Sequence, residues 1–258
     1  MTSVVSNPSD EAARSEKVRN MGVPGGLFRA AMDEIKQSHT VGQSLRAAFV
    51  LSGVFTDKLL YAELLCQFAH VTKVFEGLLM ESAAFPDLKG MYSFSPSYEA
   101  DLRSLVGPEA SASLVRGPTL AYADLLLSHS QAPHSRESLL AAAVILWGPL
   151  VIGGGAVMAP RVKKSYGPGC VGVFEAVTGP GRADRQRAFV DFVDGAAAGV
   201  DKDKVVELCG VYMDHNNRIM AAVERRPKWL RYLGAGAAAA AVAAAAAVVV
   251  ARLAARRR

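Results

Sequence analysis

The chain has 258 residues, 51% of them hydrophobic, with 29 Lys and Arg against 24 Asp and Glu and a net charge of +5. Eight of the bases, Arg225, Arg226, Lys228, Arg231, Arg252, Arg256, Arg257 and Arg258, flank a single apolar run, and removing those eight leaves 21 basic against 24 acidic residues. The positive balance is therefore a pair of terminal brackets, which excludes a nucleic-acid-binding surface, and no P-loop, dinucleotide fingerprint or zinc spacing of Cys66, Cys170 and Cys209 is present.

In chain order, residues 1–22 are polar, lack an apolar core and carry acids, and read as a disordered arm and not as a signal or transit peptide. Leu27 to Gln43 has Leu27, Phe28, Ala31, Met32 and Ile35 at helical spacing, and His39 continues that face, pointing inward. Thr56 to Glu81 predicts a long second helix, and Ser95 to Pro108 a loop and helix. Breakers cluster at Phe85 to Pro96, Gly107 to Pro118, Ala132 to Pro133 and Ser165 to Arg182, the last reading as a long connection. Phe189 to Glu224 predicts two final helices. Strand-like alternation is scarce, so residues 23–224 are expected to form one all-α domain. The three separated cysteines fit a reducing compartment.

Leu139 to Val157 is almost wholly apolar, yet Pro149 and the consecutive Gly153, Gly154 and Gly155 interrupt it. Each glycine costs a helix roughly 1 kcal/mol relative to alanine. Glycines strip a helix face of side chains, so a flat ligand can lie against backbone there; a tight helix crossing or a loop is the plainer alternative. A histidine facing such a helix is what holds a haem by its iron, with imidazole on one side and close backbone on the other. His39 is otherwise a hydrogen-bonded core residue.

At the far end, Tyr232 to Ala251 runs about 20 residues without a charge, roughly 30 Å of helix. Trp229 and Tyr232 stand at its boundary, residues 225–231 form a basic juxtamembrane linker, and residues 252–258 a basic terminus. The run reads as a transmembrane tail anchor, the alternative being an alanine-rich surface helix.

These features together resemble the haem oxygenases. The first helix of that family ends in a His-Thr pair, matched here by His39 and Thr40; Thr56 to Glu81 is similar to its second helix, with Glu76 at a family glutamate, and Leu139 to Lys164 to its distal helix. The resemblance covers Leu27 to Glu224 at low identity. It implies a single-domain helical bundle of the haem oxygenase type plus one C-terminal transmembrane helix. It also implies haem as ligand, His39 as the axial ligand of the haem iron, and Gly153, Gly154, Gly155 and Tyr212 lining the cofactor site. Arg29 and Lys36 stand as candidate propionate partners, His70 and His215 as weaker pocket residues, and His129 and His134 as loop residues outside the site.

The departures bear on activity. The family distal helix carries an aspartate that orders proton-delivering water, whereas here that position falls on Leu150 or Val151. Where the family places bases that pair with the propionates, this chain has Val190 and Asp194, and an acid there repels a propionate. The resemblance therefore implies haem binding through His39. It extends to haem cleavage with O2 and electrons from a membrane-bound reductase, giving biliverdin, iron and carbon monoxide. The alternatives are a haem carrier or sensor without turnover, or a membrane-tethered helical scaffold without haem. No nucleic-acid partner is expected. The domain faces the cytosol, with the endoplasmic reticulum first and a mitochondrial or plastid outer membrane or a peroxisome as alternatives.

Overall fold

The computed structural model describes residues 20–107, 112–131, 133–153 and 155–223. Every regular element among the described residues is helical. Most of the arm and all of the segment from Glu224 onward, which includes the expected linker, anchor and basic terminus, lie outside the described residues.

Helix α1 (Leu27–Glu34) follows Gly26, which offers no capping side chain of its own. The cap comes from far along the chain: Phe28 N donates to Asp194 Oδ1 at 2.8 Å and Val23 N to Asp194 Oδ2 at 3.2 Å. Gly26 leaves the space, since a Cβ there would lie 2.6 Å from Asp194 Oδ1. Ile35 bends the chain into α2 (Lys36–Leu51), so Leu27 to Gln43 is not one helix but two, and the second runs two turns beyond the expected end. Gly53, at φ +90°, turns the chain, and Asp57 caps α3 (Lys58–Glu81) by accepting from Leu59 N and Leu60 N.

One half-buried and one fully buried side chain of α3 organise its neighbours. Glu76 accepts from Phe94 N at 2.7 Å and Ser95 N at 3.0 Å and so caps α5 (Ser95–Val106). Gln67 donates to Leu114 O and accepts from Arg116 N and Thr119 Oγ1, which fixes the start of α6 (Gly117–Ser130). Between α3 and α5, the breaker-rich stretch holds a short helix, α4 (Pro86–Met91), begun by a proline at its first turn.

Helix α7 (Ser135–Ala142) passes directly into two π turns, Ala143–Trp147 and Pro149–Gly153, before α8 (Gly155–Tyr166). Ser135–Gly153 is long and apolar enough to cross a membrane, yet 78% of that window is buried inside the protein. Trp147, fully buried, sits at its centre against Phe75, Tyr92 and Phe94, and donates through Nε1 to Glu76. Ser165 to Arg182 is more than a connection: it contains α9 (Gly172–Glu175), whose Gly172 and Val173 N–H groups donate to Asp101 of α5.

Helices α10 (Arg182–Ala196) and α11 (Lys202–Ala222) complete the bundle. α11 is its axis. Along α2, Ser38 Oγ donates to Asp214 at 2.7 Å, Asn217 Nδ2 donates to Ser38 O at 2.8 Å, and a methyl on Gly42 would lie 3.5 Å from Met220. Along α7 and its π extension, Ser138 meets Tyr212 and Ile145 meets Asn216. Residue numbers rise together in both ladders, so α2 and the α7 helix run parallel to α11 on either side of it.

Candidate functional site

His39 lies one turn past the bend at Ile35, half-buried on α2, with its backbone N donating to Ile35 O at 2.7 Å. Its neighbour Ser38 is turned onto α11, so the helix twist of about 100° per residue sets the imidazole on the adjoining flank.

On the other flank of α11 from α2 lies the π segment. A π turn widens the helix and loosens its carbonyls, and such turns concentrate at functional sites. Here the loosened carbonyls are taken up from outside: Gln186 Nε2 donates to Val151 O and Ile152 O at 3.1 and 3.2 Å, and Asn216 Nδ2 to Ile145 O at 3.4 Å. The glycines differ in surroundings. A Cβ on Gly153 would meet nothing within 4 Å, whereas one on Gly155 would lie 2.9 Å from Leu150 O and 3.1 Å from Val177. Gly153 thus borders open space, and Gly155 permits a close backbone approach. Gly154 lies outside the described residues.

No carboxylate lines this wall among the described residues from Ala143 to Gly153; Leu150 is half-buried and Val151 packs in the core. The acid expected to oppose a propionate is engaged elsewhere, because Asp194 caps α1, while Val190 is a core residue. Arg29 donates to Asn20 Oδ1, and Lys36 borders an open groove with Asp33, Glu34 and Gln37. His70 is half-buried on α3.

Tyr212 is fully buried beneath these walls. Its hydroxyl shares hydrogen bonds with His129 Nδ1 at 2.9 Å and Ser138 Oγ at 2.7 Å, and burial pushes its pKa up to about 12. His129 is therefore part of the packed structure at the end of α6, contrary to its reading as a loop residue; the sequence signal was its helical phase with Tyr122 and Leu126, hidden by the polar residues around it. His134 stays at the surface, 3.8 Å from Glu137. On α11, His215 stacks near Tyr122 with ring centroids 5.2 Å apart. His215 Nδ1, Asn216 Oδ1 and Asn217 Oδ1 are buried without hydrogen-bond partners within the protein. Burial, then the Arg218 charge, lowers the His215 pKa.

Neither a protein-family model nor a curated protein sequence matches the chain. Solved structures do. Haem oxygenase 2 of Chlamydomonas reinhardtii, solved without haem, superposes with a TM-score of 0.69 at 22% identity over 78% of this chain and 99% of that one. The fold is that of the haem oxygenases. Haem oxygenase-1 of the cyanobacterium Synechocystis, in complex with haem, aligns with a TM-score of 0.64 at 15% identity over 83% of this chain and 99% of that one. The Leptospira interrogans haem oxygenase gives 0.59 at 15% identity over 76% and 98%. The haem oxygenase-like fold accounts for nearly the whole length of these structures, so it is the whole domain and not one motif that is shared.

Proposed function

We propose that this chain is a membrane-tethered haem-binding protein with His39 as the axial ligand. The observation that carries the reading is a half-buried imidazole on an early helix of a haem oxygenase fold, together with a π segment on the other flank of α11 whose Gly153 borders open space. A neutral imidazole nitrogen donates its lone pair to the iron, which is the usual proximal bond. Backbone at Gly153 lets a flat macrocycle approach within contact distance, and Arg29 and Lys36 supply positive charge for the propionates. Tyr212 supports the site from below. The tail anchor, from Tyr232 to Ala251, would hold the domain at a cytosolic membrane face.

Oxidative cleavage of haem, fed by a membrane-bound reductase, is the second reading. It is favoured by Asn216, whose buried Oδ1 has no protein partner while its amide holds the π segment. Such an acceptor holds a water where the distal wall offers no carboxylate.

Titration with haem, followed by absorbance, tests the first reading. A saturable Soret complex is expected in the wild type and is lost in His39→Ala; an unchanged spectrum in that variant removes His39 from the site. An electron donor added under air then separates the two readings. A complex that persists is a carrier or sensor, and one that decays to a bile-pigment band is an oxygenase.

A further inference from the structure

Three helix ends of the bundle meet at one pole. α2 ends there and α3 begins there after the Gly53 turn, while α11, parallel to α2, points toward the same pole and ends at Ala222 about two turns short of it. Helix α8 ends there too, since Tyr166 Oη donates to Val54 O, the Tyr166 ring stacks on Tyr61, and the Arg161 guanidinium lies 5.8 Å over the Phe55 ring.

This pole carries large apolar side chains in water. Leu51 is 79% exposed and Leu59 62%, and Val50 beside them is also exposed. The same helix ends carry the exposed cations Arg46, Lys58 and Lys164, with half-buried Arg161 over Phe55. The nearby acids are engaged: Asp57 caps α3, Glu63 pairs with Arg116, and Glu175 pairs with Lys163. Apolar tips within a ring of bases match an anionic lipid surface, where hydrocarbon contact and headgroup attraction act together.

The described chain ends pointing toward this pole. Residues 224–231, eight in number, separate the described domain from the uncharged run that begins at Tyr232. Fully extended, they reach about 28 Å. The opposite end of α11 lies about 30 Å from Ala222 at 1.5 Å per residue. The Leu51 pole is the nearer of the two, so a bilayer holding that run reaches it with the linker far from fully extended.

We infer that the pole formed by Val50, Leu51 and Leu59 with Arg46, Lys58 and Lys164 rests on an anionic bilayer and sets the orientation of the domain on the membrane. The inference rests on the tail-anchor reading. The sequence continues past the described domain with the bases Arg225, Arg226, Lys228 and Arg231.

The test uses the full chain in vesicles of phosphatidylcholine and phosphatidylserine. The three native cysteines are buried, so Leu51→Cys, Leu59→Cys and, at the far pole, Asp203→Cys accept an environment-sensitive fluorophore selectively. Blue-shifted emission and quenching by nitroxide-labelled lipid are expected at positions 51 and 59 but not 203. Both are lost in the Lys58→Glu and Lys164→Glu double variant. Equal, weak quenching at all three positions in protein that sediments with vesicles overturns the docking pole and leaves the anchor reading standing. Protein that fails to sediment overturns both. A blue shift at 51 and 59 without lipid quenching assigns the pole to a protein contact and also overturns the inference.

Discussion

The Asp194 carboxylate serves two backbone N–H groups at the start of α1, and that one residue ties the last third of the chain to the helix that leads into His39. Removing an N-cap acceptor typically costs about 0.5–2 kcal/mol. Asp194→Ala should lower the unfolding free energy by that amount in urea titration, and Asp194→Asn should recover much of it, because an amide oxygen still accepts. An Asp194→Ala midpoint equal to the wild type would mean the cap adds nothing. The capping partner lies 166 residues away, so no local pattern announces it; read from the sequence alone, Asp194 is only an acid where a base is expected.

At the scale of the element, the π segment makes a prediction of opposite signs. Gly155→Ala forces a methyl against the Leu150 carbonyl, and such overpacking costs about 1–3 kcal/mol. Gly153→Ala meets nothing, so it should raise stability by about 0.5–1 kcal/mol while weakening haem binding by about tenfold or more, the methyl standing where the macrocycle would lie. Thermal melts and haem titration of both variants check this. Equal behaviour of the two would contradict the separate roles. The helices themselves were largely legible: the periodicity of Thr56 to Glu81 anticipates α3 within two residues of its start, whereas the apolar run from Leu139, read as broken by its glycines, is for the most part a buried helical segment. Illegible were features made by distant partners. The glycine triplet looks uniform in sequence, but only tertiary neighbours distinguish Gly153 from Gly155. Helix α9, inside the glycine-rich stretch, exists because Asp101 receives its first N–H groups. The bend at Ile35 interrupts an apolar stripe that continues unbroken in the sequence.

For the whole molecule, His129 and His215 contribute to how stability falls with acid. Burial lowers both pKa values, reinforced by Lys204 at the first and Arg218 at the second. A histidine whose folded pKa lies below its unfolded value of about 6.5 favours folding in its neutral form. The unfolded chain binds the extra protons, so this stability is complete above about pH 6.5 and is lost as pH falls through the lower folded values. The melting temperature should therefore fall between about pH 7 and pH 5, and the double variant His129→Gln, His215→Gln should flatten that slope. A wild-type profile as flat as the variant's would show that these imidazoles do not set it.

Adjacent amides of α11, Asn216 and Asn217, bond to carbonyls of the two facing walls, Ile145 and Ser38. During synthesis the Ser38 wall emerges early and the Ile145 wall midway, but neither is registered against the other until α11 has left the ribosome. The nascent chain thus cannot set these two walls in register before α11 is made, so any ligand that needs both can be captured only after that helix joins them.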